Sequence, residues 1–198
     1  ISNLTDVDAL GLEPGVDVVF TADPRSLAGA DLVVLPGTRA TRADLAWLRE
    51  SGLDRAVLAH AGAGRPVLGI CGGFQLLGRT IADPHGVEGE PGEVEGLGLL
   101  DVRTDFTPEK VLRLPCGEAL GAPTSGYEIH HGRVTLGPGA EELLGGARAG
   151  HVLGTMWHGS LESDAFRAAL LAEVARLTGN EWAPSGVSFP AARERRLE

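Results

Sequence analysis

The apolar positions of the chain fall into short runs punctuated by turn residues. Asp31-Leu-Val-Val-Leu35 is apolar almost throughout and stops at Pro36-Gly37-Thr38, as a parallel strand covered on both faces would. Pro66 to Ile70 is a second such run. Residues 151–157, His-Val-Leu-Gly-Thr-Met-Trp, are a third, ending at His158-Gly159. Between the first two the period changes. Leu45 and Leu48 lie three apart, with Asp44 and Arg49 on other faces, which predicts a helix over 41–50. A further helix is expected over 53–63. Asp164 to Leu177 is the clearest helix, with alanines at 165, 168, 169, 172 and 175 for close packing and Leu170, Leu171, Val174 and Leu177 for bulk. Ser163 is its expected N-cap.

The remaining stretches carry weaker patterns. Residues 1–15 are mixed and turn-rich, with Asp6, Asp8, Pro14 and Gly15, and Val16 to Phe20 is a short strand candidate. Residues 83–98, rich in Gly, Glu and Pro, read as a solvated loop. Strands are expected over 97–104 and 111–114, and a strand pair over 125–134 bearing Tyr127, Glu128, His130 and His131. The alternation of strand and helix in the first half predicts an α/β fold, a mostly parallel sheet flanked by helices. One domain is expected over 1–178 and a loose tail over 179–198, with no internal repeat.

Composition narrows the function classes. A net charge of −10 over 198 residues argues against a nucleic-acid-binding surface. The two cysteines, Cys71 and Cys116, sit in dissimilar settings and make no disulfide framework, so a reducing cytoplasm is expected. No signal peptide and no apolar run of membrane-spanning length is evident.

The chemistry concentrates at Gly69-Ile70-Cys71-Gly72-Gly73, where an apolar strand meets the helix-forming Phe74-Gln-Leu-Leu77. This is the nucleophile-elbow pattern with Cys in place of Ser. The glycines relieve crowding at a strained turn, the turn aims the sulfur out of the sheet, and a helix N-terminus favours thiolate. The N–H of Gly72 would face a developing oxyanion. A structural Cys in a Gly-rich turn is the alternative. Gly37, also at a strand's carboxyl end, offers a second such N–H, or is a plain turn glycine. A Cys nucleophile needs a base. Of His60, His85, His130, His131, His151 and His158, the last ends an apolar strand just before Gly159, and the His130-His131 pair competes with it. His151 opens its strand and is expected to face solvent. No CxxC or HExxH spacing supports a metal site.

Val67-Leu-Gly-Ile-Cys-Gly-Gly-Phe-Gln75 resembles the nucleophile motif of class I glutamine amidotransferases. Together with Leu35-Pro-Gly-Thr38, Glu93-Val-Glu-Gly-Leu-Gly-Leu-Leu100, Gly126-Tyr-Glu-Ile-His-His-Gly132 and Gly154-Thr-Met-Trp-His-Gly159, it is similar to the glutaminase domains of cobyric acid synthases. The resemblance implies the class I amidotransferase (flavodoxin-like) fold, Cys71 as nucleophile and His158 as base. It implies Gly37 and Gly72 as oxyanion-hole positions and Gln75, Tyr127 and Glu128 as the substrate-binding set. The implied reaction is hydrolysis of L-glutamine through a glutamyl thioester. Its ammonia would serve ATP-dependent amidation of cobyrinic acid a,c-diamide by a synthetase domain or subunit, in cobalamin synthesis.

No cofactor is expected in this chain, since ATP and Mg belong to the synthetase and no GxxxxGK[ST] occurs here. The family's domain normally starts with a strand upstream of Ile1-Ser-Asn. Its absence implies residues before Ile1 in the natural protein, or a sheet lacking a strand. His158 is not followed by the Pro-Glu of many relatives, so the carboxylate orienting it is open. Glu162 and Glu128 are candidates, and a Cys–His dyad is the third option. The alternative functions are the glutaminase subunit of a lipid II amidating complex and a non-catalytic regulatory domain on the same scaffold.

Overall fold

The computed structural model describes residues 5–195. In chain order the elements are β1 (Val33–Leu35), α1 (Thr41–Ser51), α2 (Leu53–Gly62), β2 (Val67–Ile70) and α3 (Gly72–Leu77). Next come β3 (Thr80–Asp83), β4 (Gly92–Glu95), β5 (Val102–Arg113), β6 (Cys116–Ala119), β7 (Ala122–Ser125) and β8 (Glu128–Leu136). The chain then forms β9 (Glu141–Leu143), β10 (Gly146–Ala149), β11 (Val152–Thr155), α4 (Asp164–Thr178) and α5 (Phe189–Arg195). Single 3-10 turns occur at Thr5–Val7, Leu10–Leu12 and Ser160–Glu162, with a longer one at Pro24–Gly29.

The three apolar runs form the centre of a five-stranded sheet in the order β1-β2-β11-β10-β9. β1, β2 and β11 are parallel, with Leu35 beside Gly69 and Thr155 beside Ile70. All three therefore end at the same edge. β2 is buried at every position, as a strand with helices on both sides must be. A second sheet, β4-β3-β5-β8, pairs β3 with β5 in parallel and its other neighbours antiparallel. β6 and β7 form a separate hairpin. Leu45 and Leu48 of α1, Val57 of α2 and Phe74, Leu76 and Leu77 of α3 are buried in one core with the β2 side chains.

The α/β class and the expected helices are present to within a residue or two. Several local expectations are corrected. Residues 16–20 are extended but unpaired, and Val19 and Phe20 are exposed, so no strand forms there. Residues 92–95, expected as loop, pair with β3. The two strands expected over 97–114 are one, β5, broken in register between Phe106 and Val111. The strand pair expected over 125–134 is likewise the single strand β8, together with the end of β7. Ser163 makes no side-chain cap on α4; its hydroxyl instead accepts from the Ser125 N–H. Within the tail expected to be loose, residues 189–195 form α5 and Val187 meets Arg167. Arg167, fully buried, donates to Glu13 Oε1 and Asp164 Oδ1 and to the carbonyls of Leu161 and Val187. The Ile1-Ser-Asn segment lies outside the described residues. Among the described residues no helix is long and apolar enough to cross a membrane.

Close approach fixes the glycines around α3. A Cβ on Gly73 would overlap the Leu35 carbonyl oxygen, one on Gly69 would lie 2.6 Å from the Phe74 Cα, and one on Gly154 would overlap the Phe74 ring. α3 thus packs directly on the backbone of β1, β2 and β11. Gly73→Ala is expected to destabilise the fold by about 1–3 kcal/mol, the range for overpacking. Gly62→Ala, where nothing lies within 4 Å, is expected to be neutral or to stabilise by up to about 1 kcal/mol. Thermal unfolding of both variants checks the contrast.

Candidate active site at the carboxyl ends of the parallel strands

Because β2 lies between β1 and β11, the residues following these strands converge. Cys71 follows β2, Pro36-Gly37-Thr38 follows β1, and His158 lies three residues past β11. Cys71 takes φ 51° and ψ −112°, a conformation that L side chains rarely adopt. Its N–H donates to the Thr155 carbonyl (2.7 Å) and its own carbonyl accepts from Gln75 N (3.0 Å). The strained turn is held by the neighbouring strand on one side and the first turn of α3 on the other. This is the elbow the glycine spacing predicted. α3 has only six residues, so its nearby N–H groups count for more than a long helix dipole.

β11 leaves its sheet at Thr155. The Thr155 hydroxyl donates to the Leu144 carbonyl (2.9 Å) and accepts from Trp157 N (2.9 Å), turning the chain so that His158 reaches Cys71. The Cys71 sulfur lies close enough to interact with the ring. Tyr127 and His158 form a mutual backbone pair, N to O, at 3.0 and 2.9 Å, and their rings stack with centroids 5.1 Å apart. The orienting carboxylate is Asp6. Its Oδ2 lies 2.7 Å from His158 Nδ1, and its Oδ1 accepts from Gly159 N at 2.9 Å. Both side chains are buried. Sulfur, imidazole and carboxylate thus stand in line, with Nδ1 committed to Asp6 and Nε2 left for Cys71.

Burial alone disfavours a charged imidazole at this position. The Asp6 carboxylate and the Cys71 sulfur outweigh it and hold the His158 pKa up to about 10, from an ordinary value of 6.5. At neutral pH the ring is therefore an imidazolium, ready to donate a proton and not to accept one. Four of the other five histidines are engaged elsewhere. His60 bonds the Pro66 carbonyl, His130 that of Gly132, His131 that of Thr107 and His151 that of Ala61. His151, expected to face solvent, is half-buried through that bond.

The other expected site residues fall around this triad. A Cβ on Gly72 would overlap the Thr38 side chain and lie 3.0 Å from the Thr38 N–H, so the Gly37–Thr38 backbone sits against the first residue of α3. Gln75, one turn beyond Cys71, is buried. Its Oε1 is 3.3 Å from the Thr41 hydroxyl, which also reaches Glu88 Oε1 at 3.0 Å. Glu88 is thereby drawn onto the start of α1, and burial raises its pKa. Glu128 is buried, with Oε2 4.0 Å from His130 Nε2. Neither of the expected orienting carboxylates is on His158, since Glu162 lies 3.8 Å from Arg193 and Glu128 faces His130. Asp6 was missed because it sits in a turn-rich stretch without periodicity, 152 residues from its partner. Among the described residues no three His, Cys, Asp or Glu side chains are grouped as metal ligands.

Residues 1–166 match the model of the CobB/CobQ-like glutamine amidotransferase domain. The whole chain aligns with a protein named cobyric acid synthase from Mycobacterium tuberculosis at 69% identity over 201 residues, covering 40% of that protein. It also aligns with one of the same name from Mycobacterium marinum at 68% over 198 residues, covering 39%. The chain therefore spans about two-fifths of the length of these relatives. A solved structure described as a glutamine amidotransferase superposes with a TM-score of 0.66 over 89% of this chain and 94% of that one, at 23% identity, which shows the shared fold.

The triad makes a pH prediction. The folded-state pKa of His158 exceeds its unfolded value, so the pair stabilises the fold fully below about pH 6.5, and that stabilisation is lost as pH rises towards 10. In Asp6→Asn the His158 titration, followed by NMR, is expected to fall by about 1–3 units. The loss of stability between pH 6.5 and 10 should shrink with it.

Proposed function

The chain belongs to the CobB/CobQ-like glutamine amidotransferase domains, and on that footing we propose that it hydrolyses L-glutamine at Cys71 and supplies the ammonia to an ATP-dependent amidation. The observation that carries the reading is the Cys71–His158–Asp6 line, with the nucleophile on a strained elbow and an imidazolium beside it.

The thiolate of Cys71 attacks the side-chain amide carbon of glutamine. The oxyanion that forms is received by the N–H groups of Gly37 and Gly72. As the C–N bond breaks, His158 gives its Nε2 proton to the departing nitrogen, and ammonia leaves a glutamyl thioester on the sulfur. The now neutral imidazole takes a proton from water, whose oxygen attacks the thioester. Glutamate departs, the sulfur returns as thiolate and His158 as imidazolium. The net change is glutamine plus water to glutamate plus ammonia. Asp6 keeps Nδ1 protonated throughout and compensates the positive ring. Tyr127 stacks on that ring and fixes its plane, while Gln75 and Glu128 line the path to the amino-acid end of the substrate.

The relatives named cobyric acid synthase support a finer reading. The acceptor would be the peripheral carboxylates of cobyrinic acid a,c-diamide, in cobalamin synthesis in the cytoplasm. A synthetase region beyond this chain would activate them with ATP and Mg. In this reading the domain is the ammonia source of the longer protein.

In the full-length protein, Cys71→Ser is expected to abolish glutamine hydrolysis, and His158→Ala to reduce kcat by about 10²–10⁴-fold, the range for general acid–base catalysis. A glutamine-analogue diazo-ketone should label Cys71 and nothing in Cys71→Ala. Retained turnover in Cys71→Ser would overturn the mechanism. A larger loss in His130→Ala than in His158→Ala would reassign the base.

A further inference from the structure

A buried titratable pair beside the site takes no part in bond breaking. Glu128 and His130 stand two apart on the same face of β8, with side chains only 11% and 10% exposed. The His130 Nδ1 lies 2.8 Å from the Gly132 carbonyl oxygen. A carbonyl can only accept, so Nδ1 carries the proton. Burial, stronger than the opposing Gly132 and Glu128 contacts, lowers the pKa of this ring and keeps it neutral. Nε2 is therefore a lone pair. It is buried with no hydrogen-bond partner and faces Glu128 Oε2 across 4.0 Å. Two acceptors confront each other with no donor between them. A buried lone pair left in this state is costly, and the missing partner must bring N–H bonds to both sides.

The place of the pair says where the donor comes from. Tyr127, the residue before Glu128, is backbone-paired to His158 and stacked on its ring. At the other end of the same face, a Cβ on Gly132 would overlap the Gln75 amide, one turn past Cys71. The Glu128–His130 gap therefore lies on the wall running from the base to Gln75. His130 is close enough to His158 to feel its charge.

We propose that Glu128 and His130 form a subsite for an ammonium group, which would donate to both acceptors at ~2.8 Å from each as the two side chains part to admit it, and that its occupant is the α-ammonium of L-glutamine. This rests on the glutaminase reading and extends it to how the substrate's amino-acid end is recognised. The carboxylate selects a cation over water, and the lone pair of a fixed tautomer sets its direction. The pair acts on selection of the substrate, while bond breaking stays with Cys71 and His158.

The test compares L-glutamine with glutaramic acid, which has the same amide and carbon chain but no α-ammonium, in the full-length protein. Glu128→Gln removes the charge. His130→Asn keeps an N–H for the Gly132 carbonyl and removes Nε2. The native ratio of kcat/KM for L-glutamine over glutaramic acid is expected to fall about 10–100-fold in each variant, as for loss of a charge-assisted hydrogen bond, mostly through KM for L-glutamine. If the ratio is kept but inhibition by ammonium chloride is lost, the subsite holds released ammonium instead, and the α-ammonium assignment is overturned. An unchanged ratio with unchanged ammonium inhibition, including equal losses on both amides, makes the pair structural and overturns the subsite. A native protein that hydrolyses neither amide removes the glutaminase reading itself, and the subsite with it.

Discussion

The buried contact between Asp6 and His158 is the interaction on which the rest of the site depends. It joins a turn near the start of the described chain to a residue beyond the last strand, with both oxygens of Asp6 engaged by His158 and Gly159. One bond fixes which nitrogen of the imidazole bears a proton, where the ring points and what charge it carries. A charged imidazole without that carboxylate would face the full cost of burial. The N-terminal segment is itself held by a second buried pair, Glu13 with Arg167 of α4 at 2.8 Å. Arg167 also binds the carbonyl of Val187, so segment, helix and tail share one anchor. The segment that carries the carboxylate orienting His158 is thus held by an arginine outside the site.

Topology supplies the remainder. Three parallel strands ending at one edge deliver the Pro36-Gly37-Thr38 loop, Cys71 and His158 without any of them being near in sequence. The price is crowding, and glycines at 69, 73 and 154 let α3 lie on the strand backbones. The same closeness forces the strained backbone of Cys71. Tight packing and an aimed sulfur are therefore one feature seen from two sides.

Those parts were legible because each has a local cause. An apolar run, a glycine pair and a helix-forming run announce the elbow, and an apolar strand closing on His-Gly announces His158. Gln75 entered only through the resemblance to class I glutamine amidotransferases. The antiparallel additions were not legible. The β6–β7 and β9–β10 hairpins turn on Leu120-Gly121 and Leu144-Gly145, with both residues of each pair at positive φ. Such turns usually advertise themselves by Asn-Gly or Asp-Gly. Leucine gives no such signal, and Leu144 tolerates the conformation as a buried core residue. Asp6 was silent for a different reason. A lone aspartate in an aperiodic stretch looks like any solvated turn until the fold brings it to its partner.

The wide spacing of Asp6, Cys71 and His158 has a consequence for how such a domain comes into being. On a ribosome, the nucleophile emerges long before its imidazole, and the imidazole before Arg167, which anchors the segment carrying Asp6. A partly made chain holds the Cys71 thiol but not the imidazole that the finished fold sets beside it. Assembly of the three groups is thereby deferred until α4 has been synthesised and has docked.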